Sequence, residues 1–172
     1  MNIKTLFTTS CLFVSSYIFA QQSIFDVARS GTVEDVRHLM SINADTINSI
    51  EKSGYSPLVL ACYRGNSDVA KFLAENVYDI NGDSDYGTPL MAAVYKNRND
   101  LVKTLLDLNA NPNKADSNGT TPLHYAVIMR NETIIKLLIE AKSDLSLKDN
   151  RDLTAKDYAL ITKNQAIIKL FN

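Results

Sequence analysis

The sequence predicts an all-α solenoid: about five stacked helix-turn-helix units joined by β-turn or hairpin-like connections. Three observations carry that prediction. Ser56-Pro57-Leu58, Thr88-Pro89-Leu90 and Thr121-Pro122-Leu123 recur 32 and 33 residues apart, and a further 33 lands on Thr154-Ala155-Lys156. An alanine lies four residues after each proline or its substitute, at Ala61, Ala93, Ala126 and Ala159. An apolar run follows 12 to 17 residues after the proline, in 69–73, 101–106 and 134–139, with 167–171 as its counterpart in the last unit.

Each unit reads the same way along the chain. Ser or Thr before Pro is a helix N-cap, with Pro at the first helical position, where its missing N–H costs nothing. A short first helix turns its Leu and Ala inward. It breaks at Gly65, Asn97 or Arg130, and Gly and Asn tolerate the left-handed backbone that such a break uses. A second helix carries spaced Leu, Ile and Val to the same core. Asn- and Asp-rich turn sequence follows, in Asp79-Ile80-Asn81, in 109–113 and at Ser143-Asp144, and ends at Gly54, Gly87 or Gly119 before the next unit. One helix pair cannot bury its apolar face alone; stacking buries it. The units span about 24–52, 53–84, 85–116, 117–149 and 150–172. Two spacings depart from the pattern: one residue extra between Asp45 and Pro57, and one fewer before Pro89, where Gly87 adjoins Thr88.

Thr121-Pro122-Leu123-His124-Tyr125-Ala126 and the run Gly65-Asn66-Ser67-Asp68-Val69-Ala70-Lys71-Phe72-Leu73 resemble the ankyrin-repeat family. The resemblance covers essentially all of 25–171. The first unit lacks Thr-Pro-Leu and resembles an N-terminal cap; the last keeps Ala159 and Ile167-Ile168-Lys169-Leu170, loses Pro, and resembles a C-terminal cap. The resemblance implies that His124 is a structural imidazole bonding around the turn of its own or a neighbouring repeat. It also implies a protein partner bound on a concave face of turn tips and first helices.

Residues 1–20 read as a secretory signal peptide: a cation at Lys4, an apolar stretch interrupted by Thr8, Thr9, Ser10, Ser15 and Ser16, and Ala20 before Gln21. The run is short for a spanning helix. The resulting expectation is export to the periplasm or the extracellular space. Cleavage after Ala20 leaves 152 residues with a formal charge of −2 and Cys62 as the sole thiol. No disulfide can then form within the chain, and the core must come from stacking.

Composition narrows the function classes. The chain has 18 Lys+Arg against 19 Asp+Glu, which gives no basic field for nucleic acid. Two His and two Cys make a zinc finger, an iron–sulfur site or a disulfide scaffold a poor fit. There is no phosphate-binding Gly loop, no Gly-x-Ser-x-Gly elbow and no His-Glu-x-x-His. His38 has no cluster at ligand spacing beside it, and Cys62 follows core Ala61 as a buried, inert thiol. Glu34/Asp35 and Asp149/Asp152 fall where solvated helix ends and turns are expected. Asn118 and Asn131 match the glycosylation triplet, but both also suit ordinary turn and helix-start positions. The sequence therefore predicts no enzyme, no metal and no cofactor.

The Thr-Pro-Leu register selects the variable positions of the concave face. Tyr55 lies two residues before Pro57, Tyr86 is the adjacent turn residue in the shortened unit, and Tyr63/Arg64 and Tyr95/Lys96 lie six and seven after their prolines. Met129 is the equivalent of Arg64 and Lys96, and Tyr125 sits three after Pro122. Tyr is a large anchor with few rotors, enriched with Arg at interfaces. An interface is favoured over packing between repeats, with Tyr125 the residue best suited to packing. The expected function is a monomeric, exported module that binds a protein through this face. The rivals are an inhibitor or immunity-type protein that silences an exported toxin or enzyme, and an accessory factor for a periplasmic enzyme.

Overall fold

The computed structural model describes residues 22–82, 84 and 87–172. The expected signal segment 1–20 and Tyr86 lie outside the described residues. Among the described residues, ten α-helices form five pairs: α1 Ile24–Ser30 with α2 Val33–Ile42, α3 Pro57–Arg64 with α4 Ser67–Asn76, α5 Pro89–Tyr95 with α6 Asn99–Asp107, α7 Pro122–Ile128 with α8 Glu132–Glu140, and α9 Ala155–Thr162 with α10 Gln165–Ile168. Two 3-10 turns, Ala44–Asn48 and Lys169–Phe171, complete the helical content of the described residues. The first helices stack as one layer, α1 on α3 on α5 on α7 on α9, and the second helices α2, α4, α6 and α8 stack as another.

The local chemistry explains each helix start. Ser56 Oγ accepts from Val59 N–H at 3.2 Å, and Thr88 Oγ1 from Met91 N–H at 3.2 Å, each with Pro at the first position. The units without Pro use capping boxes: Ser23 with Asp26, Thr32 with Asp35 and Thr154 with Asp157. In the fourth unit His124 takes the carboxylate's part, its Nδ1 accepting the Thr121 N–H at 3.2 Å. That bond leaves Nε2 to carry the proton, and Nε2 donates to Leu153 O of the next unit at 3.0 Å. With 1% exposure, His124 is a joint between repeats.

The first helices end in left-handed backbone where the pair must turn: φ is 73° at Gly65, 55° at Asn97 and 56° at Arg130. Lys163 follows at 54°, so neither Arg nor Lys is excluded from a position that glycine would fill more cheaply.

The core is continuous along the stack. Leu58, Leu90 and Leu123 from the first helices, and Leu73, Leu105 and Leu138 from the second, are each at most 1% exposed. Ala61, Ala93, Ala126 and Ala159 are fully buried, their small size allowing successive helices to approach. Cys62 is fully buried, and burial pushes its thiol up to about 12, which keeps it protonated and unreactive.

Polar ladders join the units where the core cannot. Asn48, Asn81 and Asn113 each accept, through Oδ1, a backbone N–H about one repeat onward: Tyr78, Asn111 and Asp144, at 3.0, 2.6 and 2.7 Å. Asn66 Nδ2 donates back to Gly31 O at 2.9 Å, and Arg29 pairs with Glu51 at 2.8 Å across the first junction. Ser143 breaks the pattern. Its hydroxyl is buried with no hydrogen-bond partner among the described residues, whereas Ala110 occupies the corresponding position one repeat earlier. An unsatisfied buried hydroxyl is costly, so Ser143→Ala is expected to stabilise by about 1 kcal/mol, raising Tm by roughly 2–4 °C. A thermal melt checks this; a fall in Tm would show that Ser143 makes a bond the fold does not reveal.

The shortened connection before Pro89 closes on a different pair of residues. In the regular units a three-residue tip closes between Glu51 and Tyr55, Asp116 and Thr120, and Asp149 and Leu153, with Gly54, Gly119 or Asp152 donating back into the turn. In the third unit Ser84 and Gly87 exchange both bonds, at 3.1 and 2.9 Å. One glycine, at φ 96°, thus does the work of two residues.

Candidate functional site

The layer expected to carry the binding face is built from the first helices and the limbs of the hairpins. Val59 and Tyr63 lie four apart on α3, and Met91 and Tyr95 four apart on α5, so each pair shares one helix face. Together with Tyr55, Ala92 and Tyr125 they line a groove of about 310 Å³. The floor is apolar, with Val59 and Met91 at most 2% exposed, while Tyr63 and Tyr95 stand up at 41% and 45% exposure.

The aromatic groups are mutually positioned. Tyr63 and Tyr95 lie parallel, with centroids 6.4 Å apart and planes 8° from alignment. Tyr125 meets Tyr95 edge-on at 6.2 Å and 88°. Both are favoured arrangements for aromatic pairs. Lys96 Nζ sits 4.5 Å from the Tyr63 ring centroid, on the negative face of the ring.

Of the residues expected to bind a partner, Tyr55, Tyr63, Tyr95 and Tyr125 share the groove and Lys96 reaches it through Tyr63. Arg64, exposed at the end of α3, and Met129, half-buried at the cap of α7, are not part of its lining. The four tyrosines are not equivalent. Tyr55 and Tyr125 pack against the hydrophobic core, while Tyr63 and Tyr95 stand outside it. Tyr125 also donates its hydroxyl to Asp116 Oδ2 at 2.7 Å, and burial together with that carboxylate pushes its pKa well up.

Sequence reasoning passed over a second tyrosine of this kind. Tyr158 donates its hydroxyl to Asp149 Oδ2 at 2.5 Å and stands edge-on to His124 at 5.8 Å. Asp116…Tyr125 and Asp149…Tyr158 have the same nine-residue separation one repeat apart, a signal present in the sequence. Asp149 is therefore more than a solvated turn residue. Its other oxygen accepts the N–H groups of Arg151 and Leu153 and holds the hairpin closed. Tyr125 and Tyr158 flank a second, more polar groove with Asn118, Thr120, Ile128, Asp149, Asn150 and Arg151. Tyr125 belongs to both grooves, so they form one face.

The Tyr158 hydroxyl and the two backbone donors hold Asp149 below the usual aspartate value of 3.8. A lowered carboxyl stabilises the fold fully above its unfolded pKa, and the contribution is lost as pH falls through the lower folded value. Urea midpoints measured against pH are thus expected to fall below about pH 4, and Asp149→Asn should flatten that acid limb while being less stable at neutral pH. Parallel acid limbs in the two proteins would refute this role.

No group of three or more His, Cys, Asp or Glu among the described residues is arranged to hold a metal. Nor is any helix among them long and apolar enough to cross a membrane. The family model described as ankyrin repeats (three copies) matches residues 24–116 and 108–171. Among curated proteins, ankyrin repeat and SAM domain-containing protein 6 of Rattus norvegicus is 31% identical over 90 residues. The match covers 51% of this chain and 10% of that protein, so the likeness concerns a small part of a much longer chain.

Proposed function

The chain belongs to the ankyrin-repeat family, and from that premise we propose an exported, monomeric protein that captures a protein partner on the concave tyrosine face without catalysing a reaction. Ankyrin repeats mark it as a protein–protein interaction module. The observation that carries the choice of face is the division of labour among its tyrosines. Tyr63 and Tyr95 are exposed, stacked on one another and outside the core, while Tyr55 and Tyr125 are packed beneath and beside them. Rigid aromatic groups over a close-packed floor lose little entropy when covered. The signal-peptide pattern of 1–20 supports action in the periplasm or outside the cell.

Two measurements test this. A photo-crosslinking residue placed at Tyr63 should yield a covalent adduct with a partner in the native compartment, and one placed at Ile42, exposed at the end of α2, should not. Adducts from Ile42 alone would move the binding site to the other layer. Mass spectrometry of the recovered protein should find a chain beginning at Gln21; a cytosolic chain retaining Met1 would end the export reading.

A further inference from the structure

Four exposed cations stand along one edge of this face, next in sequence to the exposed acids Asp68, Asp100 and Glu132 that open the second helices. Arg64 and Lys96 stand at the same register, the end of α3 and the cap after α5, and both are exposed. Arg98 and Arg130, in the following helix-pair turns, are exposed as well, and the Arg98 guanidinium lies against Gly65, where an added Cβ would come within 2.3 Å of Nη2. None of these four cations forms an ion pair among the described residues. The groove lining contains no carboxylate. The nearby acids Asp116 and Asp149 belong to the hairpins, and each is already bonded to a tyrosine hydroxyl and two backbone N–H groups.

We propose that the groove receives an extended, acidic segment of the partner protein, with an aromatic or aliphatic side chain against Tyr63, Tyr95 and Tyr125 and a carboxylate meeting Lys96 and Arg64. This rests on the protein-binding reading above and specifies the chemistry of the partner. The physical reason is desolvation. A partner that covers Tyr63 also takes water from Lys96 Nζ, 4.5 Å above that ring. A neutral partner offers that ammonium at best carbonyl or hydroxyl oxygens, and a basic one would add like-charge repulsion; a carboxylate replaces the lost solvation most fully, because it supplies both acceptors and the opposite charge. A peptide carboxylate fits better than a nucleic-acid backbone. A phosphate chain needs cations along its whole track, whereas here the cations line one edge and the hairpin limbs carry Glu51, Asp116 and Asp149.

The test is selection of a random display library of peptides of about twelve residues, roughly 40 Å long when extended, on the purified protein. Peptides recovered on the native protein are then measured against Tyr63→Ala/Tyr95→Ala and Arg64→Glu/Lys96→Glu, with thermal melts showing that both variants stay folded. Selected peptides should carry Asp or Glu close to an aromatic or aliphatic residue. Their affinity should fall at least about tenfold on charge reversal and fall again in roughly 0.5 M salt, and binding should vanish in the tyrosine variant. Neutral or basic peptides that need the tyrosines but ignore charge reversal would overturn the acidic partner and leave the concave face standing. Peptides indifferent to the tyrosine changes would overturn both readings. Failure to enrich any peptide, or equal binding of oligothymidine, would also overturn the acidic-peptide proposal.

Discussion

Replacing Leu105 by Ala is expected to lower stability by about 3 kcal/mol, the cost of removing a buried leucine from a core that collapses only partly around the gap. Leu105 is 1% exposed on α6, in the third of five units, and its equivalents Leu73 and Leu138 are fully buried on either side. The loss should pass to the whole chain because of the architecture. In a stack each unit contacts only its neighbours, so stability is a sum of unit and interface terms. A weakened central unit loosens both junctions at once. Ile167→Ala is the informative contrast: Ile167 is also fully buried, but it lies in the terminal helix α10. There the last pair can fray while the other four remain folded, which limits the global penalty. Urea unfolding followed by circular dichroism should show a large drop in midpoint at unchanged slope for Leu105→Ala. Ile167→Ala should give a smaller drop, with early loss of amide protection confined to about 155–171. Equal drops would mean that the five pairs unfold as one indivisible body.

The sequence makes the units legible because each unit repeats its own local chemistry. Ser56, Thr88 and Thr121 before Pro state where helices begin, and Ala61, Ala93 and Ala126 state which face is closest packed. What joins one unit to the next is less legible. The Asn48, Asn81 and Asn113 bonds reach backbone about thirty residues away, and an asparagine in a turn reads equally well as local turn chemistry. The nine-residue Asp–Tyr separation was available, but it links a hairpin to a helix and lies outside any helical or strand period. The site was legible in register and only partly in role. Counting from proline brought Tyr63 and Tyr95 to the groove and left Tyr125, one helical turn before Met129, as the tyrosine best suited to packing, which its core contact bears out; it did not separate Tyr55, whose position in the sequence pattern says nothing about core contact. Counting also included Arg64 and Met129, which share a register with Lys96 but lie outside the groove lining. A register fixes the direction of a side chain; the depth of the surface beneath it depends on neighbouring repeats.

Replacing Tyr63 and Tyr95 together by Ala should weaken partner binding at least about a hundredfold, two buried aromatic anchors each contributing about 2 kcal/mol or more. The same change should leave Tm within about 2 °C of the parent, as expected for exposed groups outside the core. The two halves of this expectation have separate physical origins. The tyrosines are 41% and 45% exposed and make their ring contacts with one another, Tyr125 and Lys96, so folding gains less from them than from the core-packed Tyr55 and Tyr125. A partner, by contrast, would cover the exposed parts of the stacked rings and seat against the groove they line. Tyr125→Ala is the necessary companion. Tyr125 packs on the core and holds Asp116, so its removal should cost about 1–3 kcal/mol of stability as well as affinity. Binding measured by calorimetry and melting followed by circular dichroism therefore separate the two kinds of tyrosine. A Tm loss in the Tyr63/Tyr95 variant as large as that of Tyr125→Ala would make all of them packing residues. Undiminished binding would place the partner elsewhere on the solenoid.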